Sequence, residues 1–526
     1  MRLTVLAILA ALSANSAFAQ PAERPRFDLA DVHPSGLATN RFTFASGGLL
    51  RGDRYDLRKA TMLDMIRMAW KVPAATIVGG PNWLEFDRFD IAAKAPAQSS
   101  PETVRRMLQA LLAERFQLAV HNDTRPMPAY VLSTTKTKPK LTPSAATSEP
   151  GCRYLDQPDG SPINAYSCRN LTMAAFAPTL QNIGGEYIKE PVIDATGLED
   201  AFDFDIHWTR RSAVLPAGAE RITVFDAIEK QLGLKLELRQ APAPVLVVDR
   251  ADKPTPNSPD VARQLPARPL QFEVATLKLN KTGQHGYPRY TRTGLRGNGI
   301  LLLPMLGFAW DMNSVHTARR FFGLPKGIES VYFDIDARTA ERTNELATGD
   351  NGFDDDLRAM LRALFVERFR MQWHYEDRPM DAYSLVSVRP KMKKADPTAR
   401  AGCHEARSVA NDPRDANPLL TQLISCRNVT MDQFAAKLLE FDDFTFMYPV
   451  EDATGITGAW DFDLSFTPGG LIEQVSSGSG GDASQPNGAI SVSDAIARQL
   501  GLRLEKRKRI LPAIVIDHME LTPTDN

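Results

Sequence analysis

At 526 residues the chain is too long for a single hydrophobic core and suits two domains at the upper end of the usual size range. Lys and Arg number 62 against 63 Asp and Glu, so no electrostatic footprint for nucleic acid or for an anionic membrane surface follows from the charge.

The chain opens on an export pattern: Arg2 is the charged start, Leu3 to Leu12 a short apolar core, and Ala17-Phe18-Ala19 a small-x-small cleavage site before Gln20. A signal peptide over residues 1–19 is therefore expected, with the mature protein periplasmic or extracellular and without a membrane span. Further along, Val104, Met107, Leu108 and Leu111 follow the i, i+3, i+4, i+7 spacing of an amphipathic helix. Phe116 to Val120 reads as a strand, Arg125-Pro126 as a turn, and Ala129 to Leu132 as a second strand. Thr172 has the place and chemistry of a helix N-cap. A strand over Pro191 to Ile193 leads into the turn Asp194-Ala195-Thr196-Gly197 and then a strand from Phe202 to Trp208. A helix on Val224, Ala227, Ile228 and Leu232 stops at Gly233, a residue suited to a left-handed cap. Strands over Leu234 to Leu238 and Val245 to Val248 flank a turn at Ala241-Pro242-Ala243-Pro244.

This order then repeats. Met107 to Phe116 returns as Met360 to Phe369, identical at seven of ten positions, and Asp226 to Glu237 returns as Asp494 to Glu505 at nine of twelve. Cys168-Arg169-Asn170 recurs as Cys426-Arg427-Asn428, and the Asp-Ala-Thr-Gly turn recurs at Asp452 to Gly455. The chain is thus a tandem duplication. Copy one spans residues 24–250 and copy two 270–521, with a proline-rich stretch, 251–269, expected as a semi-rigid extended linker. The Gly/Ser-rich stretch from Ser476 to Gly488 is expected to be a flexible loop. Each copy reads as repeated helix-strand-strand units, an α+β fold with mostly antiparallel sheet.

Four cysteines fall two to a copy, and export permits disulfides: Cys152 with Cys168, and Cys403 with Cys426. No CxxC is present to suggest a metal or redox pair.

The duplication also filters candidate chemistry. Asp203, Asp205 and His207 share one strand face and could begin a metal site, but copy two offers Asp461, Asp463 and Ser465, so the imidazole is lost and a solvated face is the reading. His121 and His374 match between copies and are the best acid-base candidates, but no serine or cysteine is placed in sequence as a partner, and a hydrogen-bonded structural histidine at the strand end is the reading. Val192 to Gly197 resembles the Asp-Thr-Gly loop of aspartic proteases, in which two aspartates share a proton. An inserted alanine breaks that match in both copies, and a turn whose Asp bonds its own backbone explains the residues. Gly79-Gly80-Pro81-Asn82-Trp83 lacks the lysine and spacing of a phosphate loop, and Trp70 and Trp310 read as core. No catalytic, cofactor-binding or metal-binding residue is assigned.

The run of Phe27-Asp28-Leu29-Ala30, Gly79 to Leu84, Glu114-Arg115-Phe116, His121, Pro128-Ala129-Tyr130, Pro191 to Leu198 and Val247-Val248-Asp249 resembles a family of secreted, soil-associated bacterial proteins built on a domain of unknown function. The resemblance covers nearly all of copy one, while copy two lacks the Gly-Gly-Pro-x-Trp element. It implies export and a sensing or scaffolding role, and it supplies no catalytic residues. The helix-strand-strand endings also resemble the short extracytoplasmic domains of secretins and outer-membrane receptors, which bind protein partners. The expectation is a non-catalytic binding protein for a protein, peptide or envelope ligand. The alternative is an extracytoplasmic hydrolase using the Asp194 and Asp452 turns or His121 and His374.

Overall fold

The computed structural model describes residues 25–524 except 36–44, 97, 146–148, 159–160, 212, 214, 216–219, 268–269, 284, 292, 313, 340–354, 397–399, 407–412, 418 and 479–487. The expected signal peptide lies outside the described residues. The two copies are α+β with mostly antiparallel sheet, as the patterning predicts.

Copy one begins with β1 (Leu29–Pro34), β2 (Ser46–Arg51), β3 (Arg54–Thr61), α1 (Met62–Trp70), β4 (Ile77–Gly79), β5 (Arg88–Lys94), α2 (Pro101–Arg115) and β6 (Ala119–Thr134). It then runs through the same series again: β7 (Thr142–Pro143), β8 (Gly151–Tyr154), β9 (Ile163–Thr172), α3 (Met173–Ile183), β10 (Val192–Asp194), β11 (Ala201–Thr209), α4 (Val224–Ala227, continuing as a π-turn to Leu232) and β12 (Leu234–Arg250). The sheets have the same order, β1-β5-β3-β2 and β7-β11-β9-β8. Copy two repeats both: β13 (Val274–Leu279), β14 (Arg289–Thr291), β15 (Gly294–Leu301) and β17 (Tyr332–Arg338) form one sheet, and β19 (Lys393–Lys394), β20 (Gly402–Glu405), β21 (Gln422–Val429) and β23 (Trp460–Phe466) the other. Each copy is therefore two units of one topology, four among the described residues.

Local detail repeats with the topology. In every unit the third strand bulges just before its helix, at Lys59, Asn170, Gly299 and Asn428, each with φ between 49° and 63°. An aspartate on the neighbouring strand accepts each bulge N–H: Asp90 at 2.9 Å, and Asp203, Asp334 and Asp461 at 2.8 Å. A bulge strands one backbone donor, and the carboxylate satisfies it. Thr61, Thr172 and Thr430 then cap the following helix through the side chain. The expected helix faces are buried, Val104, Met107, Leu108 and Leu111 in α2 and Leu357, Met360, Leu361 and Leu364 in α8 (Asp355–Arg368).

Two expected turns are absent. Arg125-Pro126 and Ala241 to Pro244 lie inside continuous strands, and β6 pairs with β12 antiparallel over their whole length. The strands expected as local hairpins instead pair across a hundred residues or more. Pro126 faces Pro242, with Pro128 and Pro244 two residues along on their strands. All four share one phase of the ladder, and Tyr130 in the same phase sends its N–H outward to the Pro191 carbonyl at 2.8 Å. Each proline therefore lacks only a donor that would point away from the partner strand, where a ladder tolerates it. Copy two builds the same ribbon from β18 (Gln372–Ser387) and β24 (Leu502–His518), with Pro379 and Pro512 in that phase.

Each ribbon is shared between its units. Leu246 and Val248 pack into the core under α1 and α2, whereas Tyr130, Leu132, Leu234 and Leu236 pack into the core under α3 and α4. The middle of the ribbon stands between them, largely exposed. The proline-rich stretch is no free tether. Asp252 and Thr255 donate backbone hydrogen bonds to Phe116 and Arg115, Asn257 bonds Val32 and Asp31, and a short helix, α5 (Val261–Gln264), packs on β1. The Gly/Ser-rich stretch also departs from expectation at its start, since α11 (Gly469–Gly478) takes in residues 476–478, and 479–487 lie outside the described residues.

The copies join through charge. Arg51 pairs with Asp356 at 3.0 Å, Lys59 with Asp311 at 2.9 Å and Arg88 with Glu440 at 2.6 Å, and Arg400 reaches back to Glu85. Asp311 also lies 3.4 Å from Arg358 of its own copy. Phe86 of copy one packs against the core of copy two.

Candidate functional site

The two disulfides are cross-strand pairs. Cys152 on β8 faces Cys168 on β9, and Cys403 on β20 faces Cys426 on β21, with Cα separations of 4.0 and 4.1 Å. Each fastens the outer strand of its sheet. No free thiol remains in the chain.

The Asp-Ala-Thr-Gly turns are self-contained. Asp194 Oδ1 accepts from the Thr196 backbone N–H at 2.9 Å and from its hydroxyl at 2.8 Å, and the Leu198 N–H reaches the Thr196 hydroxyl at 3.2 Å. Asp452 and Thr454 repeat this geometry, with the Ile456 N–H closing the turn at 3.1 Å. The two aspartates end β10 and β22 (Glu451–Asp452), which belong to different sheets. Asp194 borders an open hollow of about 620 Å³ with Thr172, Leu198 and Glu199, but its Oδ1 is already committed to the turn.

Asp203, Asp205 and His207 also have structural employment. Asp203 holds the Asn170 bulge, and Asp205 pairs with Arg169 at 2.9 Å, as Asp463 does with Arg427. At His207 the backbone is what matters. Gln231 accepts its N–H at 3.0 Å and donates to its carbonyl at 2.8 Å, and Gln499 does the same for Ser465 at 3.0 and 2.7 Å. A side-chain amide can stand in for the missing neighbour of a strand. That explains why the imidazole is dispensable in copy two. Among the described residues no three His, Cys, Asp or Glu side chains gather as a metal-binding set.

Gly79 and Gly323 match in role. Both are left-handed, with φ of 77°, and a Cβ at either would meet the carbonyl of Val248 or Ile516 at 2.9 or 2.3 Å. Gly79 closes β4 against β12, and Trp83 packs on Phe89 with Lys253 over its ring at 4.3 Å. Trp310 is fully buried and Trp70 partly so, each in its copy's first core.

The remaining pair is the most informative. His121 Nδ1 lies 2.8 Å from Asp249 Oδ2, and His374 Nδ1 lies 2.9 Å from Asp517 Oδ2. In each copy the aspartate occupies a register break at the end of β12 or β24, where the ladder skips one residue. Such a break re-aims a side chain, here toward the histidine of the facing strand. The four side chains are about half exposed, between 46% and 52%. Sequence comparison of the copies finds the histidines and misses the aspartates as their partners, because the pairing depends on strands 128 and 143 residues apart. A carboxylate fixes an imidazole's orientation and tautomer, which suits either a general base or a recognition element. Among the described residues no hydroxyl bonds either ring.

A cleft of about 420 Å³ opens where α5 and the strap before it cross α2 and β1. Its Arg115 is spent on the strap, bonding Asn257 at 2.7 Å, Thr255 and the Ala30 carbonyl at 3.2 Å. Among the described residues no helix is long and apolar enough to cross a membrane.

Comparison with curated proteins and with solved structures gives no match. A family model does match, over residues 63–251 and again over 304–519, beginning in each copy at or just inside the first helix. The chain therefore belongs to the DUF3738 family, a protein family of unknown function, and carries its domain twice.

Proposed function

We propose that the chain is an extracytoplasmic, non-catalytic binding protein that contacts a protein, peptide or envelope ligand through its paired domains. The observation that carries this reading is the pair of long ribbons, each held up between two cores: that of copy one is largely exposed at mid-length on both strands, and that of copy two is exposed there along β24, while Met380 and Ala382 of β18 are buried beneath it. Apart from the His-Asp pairs, the groups singled out for chemistry are employed in folding: Asp194 and Asp452 in their turns, Asp203 and Asp461 at bulges, and the cysteines in disulfides. The export pattern at the start of the chain and the disulfides fit an oxidising compartment. Capture from envelope extract on the immobilised full chain, disulfides intact, tests the reading. A specific partner is expected, and a blank result at physiological salt counts against it.

One observation favours a second reading, hydrolysis, namely the His-Asp pair kept in both copies. It predicts turnover of activated esters or peptides that disappears in a His121→Ala/His374→Ala double variant. Equal rates in the variant and the parent chain would remove it.

A further inference from the structure

We infer that the open edge of β24 in copy two is a strand-addition site for an extended acidic segment of a partner protein, a proposal that rests on the binding reading above. Among the described residues the one strand paired to the outer side of β24 is β16 (Phe321–Phe322), at Ile514 and Val515. Pro512 fixes the phase of the ladder, so Leu504, Lys506, Lys508 and Ile510 present their N–H and C=O groups away from β18. Among the described residues none of these four edges is paired with another strand. Together they offer a span of about 20 Å, enough for a six-residue strand.

The side chains select the guest. Arg503, Lys506, Arg507, Lys508 and Arg509 crowd seven positions of this strand, with Glu505 the lone acid among them. Arg503 and Arg507 share Glu505, and Arg509 lies 3.7 Å from Glu451. Lys506 and Lys508 project to the other face, where Lys506 lies 5.8 Å from the Tyr383 ring centre. Lys508 pairs with Asp381 at 2.7 Å, but both ends are about two-thirds exposed, so the pair is weak and its lysine can be shared. Lysines on an edge repel a second copy of the same edge, and they favour a strand carrying carboxylates at alternate positions. Ile510, next along that face, is 67% exposed and offers an apolar contact beside them.

Copy one lacks these features at the same place. Leu238, Gln240 and Pro242 stand where copy two has Lys506, Lys508 and Ile510, so both the charge and the third donor are missing. The acidic strand therefore adds to copy two alone.

The test uses the full chain and a fluorescein-labelled heptapeptide of alternating Glu and Val, followed by anisotropy at two salt concentrations. Ile510→Pro installs the residue that copy one carries and removes only an outward donor, and Lys506→Glu/Lys508→Glu reverses the charge without touching the backbone. Each is expected to weaken binding about tenfold or more, the equivalent of one or two lost hydrogen bonds or ion pairs. A lysine-valine peptide should not bind. The proposal is overturned if the parent chain ignores the acidic peptide, or if Ile510→Pro binds it as well as the parent does. A partner captured from envelope extract equally by the parent and both variants overturns the edge site and leaves the binding reading standing, whereas no capture by the parent counts against the binding reading itself.

Discussion

Lys59 and Gly299 occupy the same bulge in the two copies, with the same left-handed backbone and the same aspartate beneath it, yet only Lys59 reaches across to the other copy. Its target, Asp311, follows Trp310 in a left-handed conformation, and the residue in that position of copy one is Lys71, also left-handed. The two copies thus have one backbone and opposite halves of an interface. What is repeated four times is the scaffold; what occurs once is the set of ion pairs that joins its halves. A head-to-tail contact of this kind would propagate if both copies carried both halves. Copy one carries the lysine and copy two the aspartate, so this contact runs in one direction between them.

The largest effect is expected from Asp311→Ala. It leaves Lys59 and the buried Arg358 without their shared carboxylate and should cost about 3 to 5 kcal/mol, the range for breaking a buried pair from one side. Denaturant unfolding should then shift and broaden as the coupling of the copies weakens, and a single unshifted transition would show that this ion pair does not help to join them. Lys59→Gly, which gives copy one the residue of copy two, should cost less, because the glycine relaxes the left-handed backbone.

The disulfides offer a symmetric comparison. Cys152→Ser/Cys168→Ser and Cys403→Ser/Cys426→Ser open loops with sequence separations of 16 and 23, and the chain-entropy model gives each about 3 kcal/mol. Calorimetry should show similar losses in the two variants. A loss confined to one copy would mean that its outer strand is held by other contacts.

Gln231→Ala and Gln499→Ala each remove two hydrogen bonds to a strand backbone, for an expected loss of about 1 to 2 kcal/mol in either copy. His207→Ser, by contrast, should change the melting temperature by no more than a degree or two, since copy two already carries serine there. A large His207 effect would reopen the question of its imidazole.

The smallest effect concerns Asp442, at the end of α10 (Met431–Phe441). Burial pushes its carboxyl above the usual range, against hydrogen bonds from Thr445 and Gly469 that pull it down. A folded value above the unfolded one means that the folded state holds the proton more tightly. This residue's contribution to stability is thus full below the ordinary carboxylate value and is lost as pH rises through its raised one. Asp442→Asn should flatten that part of the stability-pH curve and change stability at neutral pH by less than about 1 kcal/mol. An unchanged curve would show that the carboxyl is not held up by burial.

Much of the fold was legible because its signals are local. The α2 face, the threonine caps and the left-handed Gly233 and Gly501 are set by neighbours within a turn or two of chain, and the structure has them where spacing put them. The prolines misled for the opposite reason. Pro126 and Pro242 carry a local signal for a turn, but their cost depends on where the absent N–H would point, and that is fixed by a partner strand far away in sequence. The His121-Asp249 pair was half legible: each residue matches across the copies, while the register break that brings them together is a property of the ladder.

Sequence alone determined the duplication, the α+β class, the helix faces and caps, and the placing of one cysteine pair in each copy, all consequences of periodicity and of residues that serve their immediate neighbours. Tertiary structure decided that each copy is itself two units of one topology, that four expected short strands are two long ones, that the proline-rich stretch is strapped down, and that the copies join through ion pairs such as Lys59 with Asp311. Those outcomes turn on which distant backbone groups and charges meet. A hydrogen-bond donor or a lysine has no meaning in sequence until the fold supplies what it faces.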